Sequence, residues 1–402
     1  MSVANLPFDL VVVGGGIIGL ATSYRFGQRY PHKTVAVVEK EPQVATHQTG
    51  HNSGVLHSGI YYKPGSLKAV NCRAGKLAME DFCAREGIQH ERCGKVIVAL
   101  NPSELPALEE IYRRGLANGI RCELIGRERL LELEPAAAGM RAIHVPEAGI
   151  VNYGQVCQRL AEMITAAGGT LLFNARVLDI QPTSSEVCLV TTRGEFRARR
   201  LVNCAGLHCD RVAKLADHRC ETKIIPFRGE YYQLKSSAAH LINNLVYPVP
   251  NPDFPFLGVH FTRMIDGSVE CGPNAVLAFA REGYTKTNIN ARDLIESLTY
   301  PGFLRLAGKY WREGMSEMWR SLSKGAFVRA LQRLVPEIRS ENLVTAPAGV
   351  RAQAVGRDGK MIDDFLVQHN ERIVHVLNAP SPAATASLNI GKFIVDEWLG
   401  DY

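Results

Sequence analysis

The sequence contains no C-x-x-C pair, no long block of Lys and Arg, and no long uninterrupted apolar run. The scattered positions of the ten cysteines argue against a zinc site or a redox dithiol. We therefore expect the cysteines to be mostly reduced and buried, and we predict no metal. A membrane-spanning helix needs about 18 or more apolar residues, so none is predicted. A strand pattern begins within the first ten residues, and we therefore expect no signal or transit peptide and a cytoplasmic location.

The length and composition are those of a globular protein. The 402 residues suit one large two-layer domain or two domains. Hydrophobic residues make up 46% and charged residues 21%, which argues against disorder and against a fibrous fold. A net charge of +6 indicates a mildly basic surface, which favours an anionic substrate or an anionic lipid surface. Nucleic acid is not predicted as a partner, because no recognised binding motif accompanies the charge.

The N-terminal segment has the pattern of a dinucleotide site. "FDLVVVGGGIIGLATSYRFGQRYP" predicts a buried strand, a glycine turn and a helix that ends before Pro31. Gly14, Gly16 and Gly19 have the spacing G-x-G-x-x-G, which allows a tight turn, a close approach of pyrophosphate and helix-on-strand packing. "TVAVVEK" predicts a second buried strand that ends in Glu39, where an acid would bind an adenosine ribose. This unit alone does not decide between NAD and FAD.

Later segments predict further strands of the same sheet. "TLLFNARVLDIQ" and "RARRLVNCAGLHCDRVAKL" extend the sheet over more than 150 residues, so another structure must be inserted between its parts. "ERIVHVLNAPSPAATASLNIGKFIVDEWLG" predicts a strand, a small-residue loop and a last helix, with Ser381 as N-cap and Pro382 at the first helical position. His375, within that strand, is interpreted as a core histidine.

Several motifs together resemble one family over essentially the whole chain. They are the glycine turn and "HQTGHNSGVLHSGIYYKPGSLKA", "PFRGEYY", "PFLGVHFTRMIDGSVECGPNAV", "AGVRAQAV" and "NAPSPAAT". The chain resembles the FAD-dependent L-2-hydroxyglutarate dehydrogenases and oxidases of the D-amino-acid-oxidase-like flavoprotein superfamily. The resemblance implies an α/β fold, in which a Rossmann-type FAD-binding domain carries an inserted antiparallel-sheet α+β substrate domain.

The resemblance also implies where FAD lies. The segment 47–65, which has no charged side chain before Lys63, would pass beside the flavin ring and the pyrophosphate, and His51 is a candidate for covalent attachment. Glycines allow close approach there, and uncharged donors can bond the cofactor without burying a charge. The predicted cofactor-binding residues are Gly14, Gly16, Ile18, Gly19, Glu39, Lys40, Thr49, Asn52, Ser53, Gly54, Val177, Ala205, Gly206, Pro380, Ser381, Pro382 and Ala383.

If the resemblance holds, both domains are discontinuous. The predicted FAD-binding domain consists of residues 1–90, 146–225 and 335–402, and the predicted substrate domain of residues 91–145 and 226–334. Short runs rich in β-branched and aromatic residues, such as "GEYYQL", "LVYPVPN" and "FLGVHFT", support an antiparallel sheet in the second domain.

The segment 301–335 combines basic and aromatic residues in a helical pattern. Trp311 and Trp319 could lie on an apolar face while Lys and Arg contact an anionic membrane, as a peripheral attachment to the inner face of the cytoplasmic membrane would require. The other interpretation is that the aromatic residues pack onto the substrate domain and the basic face is solvated. The sequence leaves both open.

Oxidation of a 2-hydroxy acid needs a base for the hydroxyl proton. Histidine suits this role because its ordinary pKa lies near neutral pH. His57, in the flavin-side segment, and His260, on a predicted strand of the substrate domain, are the candidates. Tyr61 is predicted to contact the substrate.

A dicarboxylate also needs cationic partners. The resemblance implies that Arg351 of "AGVRAQAV" binds a substrate carboxylate, and Arg suits bidentate pairing with such a group. Arg228 and Arg263 are the candidates for the second carboxylate. The competing interpretation gives them salt bridges to Glu230 or Asp266.

The leading hypothesis is therefore FAD-dependent oxidation of L-2-hydroxyglutarate to 2-oxoglutarate by hydride transfer to flavin, with a quinone or oxygen as electron acceptor. The alternative is an FAD-dependent amino-acid or amine oxidase of the same superfamily, because the fold does not separate C–OH from C–N oxidation. A flavin-binding module without enzymatic activity is less consistent with the polar and cationic residues expected in the cleft.

Overall fold

A computed structural model describes residues 6–217, 220–250 and 258–400. The strands are β1 (Phe8–Val13), β2 (Val35–Val38), β3 (Val55–Leu56), β4 (His90–Glu91), β5 (Lys95–Ala99), β6 (Glu123–Gly126), β7 (Arg141–Val145), β8 (Gly149–Val151), β9 (Thr170–Leu172), β10 (Val177–Pro182), β11 (Val187–Thr191), β12 (Gly194–Asn203), β13 (Lys223–Leu234), β14 (Leu245–Pro248), β15 (His260–Arg263), β16 (Val269–Gly272), β17 (Val276–Leu277), β18 (Leu343–Val355), β19 (Leu366–His369) and β20 (Ile373–Asn378). The helices are α1 (Ile17–Arg29), α2 (Leu67–Arg85), α3 (Leu105–Ala117), α4 (Arg127–Leu133), α5 (Tyr153–Ala166), α6 (Cys209–Ala216), α7 (Ala291–Leu298), α8 (Pro301–Lys309), α9 (Trp311–Leu322), α10 (Lys324–Gln332) and α11 (Ala383–Trp398).

The first sheet has eight strands around a parallel centre. Strands β9, β2, β1, β12 and β20 are parallel neighbours, and the antiparallel strands β10, β11 and β19 extend the sheet. Leu10 and Val12 of β1 face the cluster that contains α1 and α11, while Val11 and Val13 face the opposite cluster. Both faces of this strand are covered, which explains its continuous apolar sequence.

The second sheet has nine strands and is mostly antiparallel. The long strands β13 and β18 pair along nearly their whole length, and β14 and β5 form a parallel pair. Strands β3, β8 and β4 form a separate small sheet. The predicted fold class, a Rossmann-type domain with an inserted antiparallel sheet, is confirmed. Parts of the predicted strand segments "LVYPVPN" and "FLGVHFT" fall within 251–257, outside the described residues.

Strand pairing bears on the predicted domain boundaries. The predicted FAD-binding segment 335–402 includes β18, yet β18 pairs with β13 in the second sheet. Local sequence could not show this, because β18 finds its partner about 120 residues earlier in the chain. We therefore propose that the last FAD-binding segment begins after Val355 and that the preceding one ends before Lys223.

Helices α7 to α10 fill the segment that the sequence predicted as helical. Phe327 and Leu331 of α10 are buried in the core beneath the second sheet, whereas one face of α9 is exposed. In the part of the chain that the structure describes, every helix is too short or too polar to cross a membrane.

Candidate active site

A cavity of about 2210 Å³ is lined by residues of both large sheets. Val13 and Val376 line it from the first sheet, and Arg228, Tyr247 and Arg351 from the second. Sites for small molecules usually measure about 300–1,000 Å³. This cavity can therefore hold a dinucleotide together with a small second molecule.

The glycine turn forms one end of the cavity. Gly14 has a φ of +112°, and a Cβ there would lie 2.5 Å from the carbonyl oxygen of Cys204. A Cβ on Gly19 would lie 2.0 Å from the carbonyl oxygen of Gly14, so this glycine keeps α1 close to β1. Gly16 and Ile18 line the cavity at the N-terminus of α1. The turn leaves room for a pyrophosphate at the positive end of the helix, and the residues fit FAD.

Glu39 and Lys40 line the cavity next to this turn. The Glu39 carboxylate accepts hydrogen bonds from the N–H of Gly15 at 2.6 Å and of Glu41 at 2.9 Å. Lys40 Nζ lies 2.6 Å from a carboxylate oxygen of Glu282 and is also paired with Glu41. Glu39 is thus held against the glycine turn, at the position where an adenosine ribose is expected.

Segment 47–57 forms the cavity wall between the two ends. Thr49 Oγ1 accepts a hydrogen bond from the N–H of Ile17 at 3.1 Å, which ties the segment to α1. Asn52 Oδ1 accepts from the N–H of Gly54 at 2.8 Å, so this side chain shapes the segment. The Nδ1–H of His51 donates to the carbonyl oxygen of Ala348 at 3.0 Å. Covalent attachment at His51 stays a prediction.

The start of α11 forms the other end of the cavity, lined by residues 380–385. The predicted N-cap is wrong by one residue, since Pro382 is the N-cap and the helix begins at Ala383. Ser381 does not cap the helix, and its Oγ lies 3.3 Å from Nε2 of His57 instead. The chain therefore presents a small-residue helix start to the cavity, and the Ser381 hydroxyl is directed to a candidate base.

His57 and His260 both line the cavity, and both are neutral at physiological pH. Burial lowers the pKa of each to about 3, and the positive charges of Lys95 and Arg351 contribute. The Nδ1–H of His260 donates to the carbonyl oxygen of Gly258 at 2.9 Å. Because this bond fixes the tautomer, Nε2 of His260 carries a lone pair that can accept a proton.

Arg351 places a positive charge beside the two histidines. It lies on β18 opposite Phe227 of β13 and lines the cavity. Burial lowers the pKa of its guanidinium. The arrangement can bind a carboxylate and remove a proton from a neighbouring hydroxyl or amine.

The comparisons with known proteins agree with this geometry. A family model described as FAD dependent oxidoreductase matches residues 9–397. The chain belongs to the FAD-dependent oxidoreductase family. It is 49% identical over 395 residues to the L-2-hydroxyglutarate dehydrogenase of Indibacter alkaliphilus, covering 98% of this chain and 99% of that protein. It is 43% identical over 414 residues to the mitochondrial L-2-hydroxyglutarate dehydrogenase of Homo sapiens, covering 98% of this chain and 89% of that protein.

Solved structures show the same fold. The L-alpha-glycerophosphate oxidase from Mycoplasma pneumoniae, with FAD bound, gives a TM-score of 0.79 at 23% identity over 99% of this chain and 98% of that one. The predicted family, the FAD cofactor and the oxidoreductase class are therefore confirmed. A dehydrogenase of this family has a small substrate and an electron acceptor.

The cavity of this FAD-dependent oxidoreductase brings together most of the predicted site residues. Those that line it are Gly14, Gly16, Ile18, Glu39, Lys40, Thr49, Asn52, Ser53, His57, Tyr61, Val177, Ala205, Gly206, Arg228, His260, Arg351, Pro380, Ser381, Pro382 and Ala383. Gly19, Gly54 and Arg263 are outside the lining. A Cβ on Gly54 would lie 2.7 Å from the carbonyl oxygen of Val151, so this glycine acts through packing, as Gly19 does.

The two arginines predicted for the second carboxylate have other partners. Arg263 forms a bidentate ion pair with Glu91, with both distances at 2.8 Å, so the prediction that it binds substrate is withdrawn. Arg228 lines the cavity but is paired with Glu230 at 2.9 Å, as the competing interpretation had it. Because Glu230 already balances the charge of Arg228, Arg228 is a poor anchor for a substrate carboxylate.

Sequence reasoning missed several residues of the site. Tyr231 and Tyr247 line the cavity, and Lys95 lies behind Tyr247. The sequence did contain a signal for Lys95. Lysine is rarely buried, so a lysine at the start of the apolar strand "KVIVA" indicates a specific function. The tyrosines gave no such signal, since aromatic residues are common in strands.

Proposed function

We propose that this FAD-dependent oxidoreductase oxidises L-2-hydroxyglutarate to 2-oxoglutarate. The observation that carries the proposal is one cavity that combines the dinucleotide turn, the cationic Arg351 and two neutral imidazoles. The names of relatives that are 43–49% identical over nearly the whole chain support this substrate.

Each part of the reaction has a residue suited to it. Arg351 binds the carboxylate next to the reacting carbon and fixes the orientation of the substrate. His260 Nε2 or His57 Nε2 accepts the proton of the hydroxyl group. Tyr231 and Tyr247, which line the cavity, exclude water from the reacting carbon. When bound, FAD supplies the hydride acceptor that these side chains lack.

Replacing the base tests its assignment. We expect His260→Ala or His57→Ala to lower turnover by about 10²–10⁴-fold while FAD content stays unchanged. His375→Asn is the matched control, because His375 is a buried histidine at 7% exposure that bonds Asn203 instead of lining the cavity. Turnover within threefold of the native enzyme in both alanine variants would refute the assignment.

The substrate itself is tested by anaerobic bleaching of the flavin absorbance. We expect L-2-hydroxyglutarate to bleach it, and D-2-hydroxyglutarate, L-lactate, glycerol-3-phosphate and glutamate to bleach it far more slowly. Faster bleaching by glutamate or another amine would reassign the protein to the amine oxidases. A cofactor that none of these compounds bleaches would overturn the substrate proposal and leave the cofactor site standing.

We propose further that the exposed face of α9 attaches the protein to an anionic membrane surface, where a quinone could accept the electrons. Trp311, Met315 and Trp319 lie four residues apart along one face and are 59%, 63% and 61% exposed. Arg312 lies over the ring of Trp311, Lys309 lies over the ring of the adjacent Tyr310, and both supply positive charge. Exposed apolar side chains beside basic ones suit a lipid interface. Oxygen is the alternative acceptor.

Vesicle flotation tests this attachment. We expect the protein to float with phosphatidylglycerol vesicles, and a Trp311→Ser, Trp319→Ser double variant to float at least about fivefold less. Leu116→Ser is the control, because Leu116 of α3 is also an exposed apolar residue, at 51% exposure. Equal flotation of all three proteins would overturn the proposal, and oxygen consumption during turnover would then identify the acceptor.

A further inference from the structure

Lys95, the first residue of β5, places a charged side chain inside an apolar cluster. The residue is 1% exposed, and it shares its face of the strand with Ile97 and Ala99, which are fully buried. Strand β14 lies alongside in parallel and pairs Ile97 with Tyr247. An ammonium group in these surroundings loses its hydration, which is unfavourable unless another group compensates.

Aromatic rings surround the Lys95 ammonium. Nζ lies 3.9 Å from the ring centroid of Tyr247 and 5.5 Å from that of Tyr61. Among the residues that the structure describes, only the thiols of Cys72 and Cys93 favour its charged form, and no carboxylate does. Another buried lysine, Lys76, is paired with Glu80 at 2.7 Å. Within the described part of the chain, Lys95 thus has cation–π contacts and no carboxylate partner.

This position is next to the cavity wall. The Tyr247 ring that contacts Lys95 also lies 4.0 Å from the ring of His260, so a single aromatic ring touches both groups. Tyr61, Tyr247 and His260 all line the cavity. The charges of Lys95 and Arg351 both act on His57 and on His260, so both histidines lie near both cations.

We infer that Lys95 is the second cationic anchor of the substrate site and binds the carboxylate that is farther from the reacting carbon. The inference rests on the proposed function. With one carboxylate on Arg351 and the hydroxyl group at a histidine, the remaining carboxylate of a five-carbon dicarboxylic acid extends towards Lys95. Its flexible four-carbon stem lets the ammonium reach between the two tyrosine rings. Lys95 would therefore determine the preference for dicarboxylates.

The test compares two substrates that differ only at the far end. L-2-Hydroxyvalerate has the same five-carbon chain as L-2-hydroxyglutarate with a methyl group in place of the second carboxylate. We expect Lys95→Met to lower kcat/KM for the dicarboxylate by about 10–100-fold, mainly through KM, since a charge-assisted bond of this kind is lost. The value for L-2-hydroxyvalerate should stay within about threefold, because its binding uses no second cation.

Lys76→Met is the matched control, because it also removes a buried ammonium group, but one that is paired with Glu80 instead of contacting the cavity-lining rings of Tyr61 and Tyr247. It should change kcat/KM for both substrates by the same factor. Equal losses on both substrates in Lys95→Met would overturn the inference. If the native protein does not oxidise L-2-hydroxyglutarate at all, the proposed function fails first, so the two failures are distinguishable.

A measurement on the native protein keeps the inference testable if the variant does not fold. The pKa of Lys95 is lowered to about 8, mainly by burial. Neighbouring groups change little between pH 8 and 9.5, since His57 and His260 have pKa values of about 3, Glu270, whose charge acts on Tyr247, about 7, Cys93 about 11 and Cys72 about 12, and the pKa values of Tyr61 and Tyr247 are raised above 10. Arg351 also stays charged in this range. Lys95 loses its charge as the pH rises through this range. The kcat/KM for L-2-hydroxyglutarate divided by that for L-2-hydroxyvalerate should therefore fall at least about fivefold. A constant ratio would count against Lys95.

Discussion

At the scale of single residues, burial decides which protonation state each group of the cavity presents to a substrate. The pKa values of His57 and His260 are lowered to about 3, whereas an unburied histidine titrates near 6.5. Both imidazoles are consequently neutral above pH 5 and able to accept a proton. Nearby cations alone would not produce this state, because burial is the larger cause in both cases.

The acid side of the pH profile follows from these values. We expect kcat/KM for the 2-hydroxy acid to change by less than about twofold between pH 7.5 and 5.5, because this quantity reports the free enzyme, whose bases stay unprotonated in that range. Steady-state rates at a series of pH values, with FAD content checked at each, provide the measurement. A roughly tenfold loss centred near pH 6.5 would mean that the base titrates like an ordinary exposed histidine.

Glu270 on β16 leads to a prediction about stability. Burial and the nearby charge of Asp266 raise its pKa to about 7. A carboxyl group whose pKa is higher in the folded state favours folding below its ordinary pKa, near 4.3, and this contribution is lost as the pH rises through 7. We expect Glu270→Gln to raise the melting temperature by about 1–3 °C at pH 8 relative to the native protein, and not at pH 4.5. Thermal scans at both pH values would show it.

Glu195→Gln is the control for this prediction, because Glu195 of β12 is exposed and the same substitution there removes no buried carboxyl group. If Glu270→Gln behaves in the same way, the Glu270 carboxylate is already ionised at little cost in the folded protein.

Single residues also show where sequence reasoning fails. The position of His57 at the cavity could be anticipated, because it lies in a segment with a recognisable local motif. The choice among Arg228, Arg263 and Lys95 could not, because it depends on which cation lacks a carboxylate in three dimensions. Glu91, the partner of Arg263, lies 172 residues away in the chain.

At the scale of elements, helix α11 packs closely against two other helices. A Cβ on Gly391 would lie 2.7 Å from the backbone carbon of Ala21 in α1. A Cβ on Gly75 in α2 would lie 2.5 Å from Cα of Ala386 in α11. Backbone atoms cannot move aside as a flexible side chain can, so both glycines set the distance between helices. Helix α11 in turn positions residues 380–385 at the cavity.

Gly391→Ala should therefore destabilise the protein. We expect a loss of about 1–3 kcal/mol in the free energy of unfolding, because the added methyl group must push α11 away from α1. Gly27→Ala is the matched control, since a Cβ at this helical glycine meets nothing within 4 Å and should stabilise by up to about 1 kcal/mol. Urea unfolding of the three proteins gives both values. A neutral Gly391→Ala would mean that the two helices separate at little cost.

Elements differ in how far the sequence predicts them. Strand β1 begins and ends where the apolar run predicts, because its neighbours in the sheet cover both faces. The start of α11 was misplaced by one residue, since the serine that could cap the helix bonds a histidine from a distant segment instead. Local sequence preferences determine where a helix begins unless a tertiary contact competes for the capping side chain.

At the scale of the whole molecule, the cavity lies where the two large sheets meet. Residues of β1 and β20 from the first sheet and of β13, β14 and β18 from the second line it together. A cofactor bound there contacts both halves of the chain. The sequence motifs predicted the two sheets. They did not predict that β18 belongs to the second sheet, which only its pairing with β13 shows.

FAD should consequently stabilise the molecule as one unit. A ligand that binds only the folded protein adds about 2.7 kcal/mol at a concentration of 100 times its Kd. We expect the apoprotein to unfold in a single thermal transition whose midpoint rises by at least about 4 °C at saturating FAD. Two transitions, of which only one responds to FAD, would show that the two halves unfold independently and that the cavity does not couple them.

A pair of glycine variants separates this coupling from general destabilisation. Gly14 has a φ of +112° and a Cβ there would meet Cys204, whereas Gly194, the first residue of β12, has a φ of +107° and nothing within 4 Å of a Cβ. Both alanine substitutions strain the backbone, so both should lower the midpoint of the apoprotein. Only Gly14→Ala should abolish the rise with FAD, because only that turn receives the cofactor. A normal rise in Gly14→Ala would mean that FAD is held mainly by other parts of the cavity, and that the glycine turn contributes less than its geometry indicates.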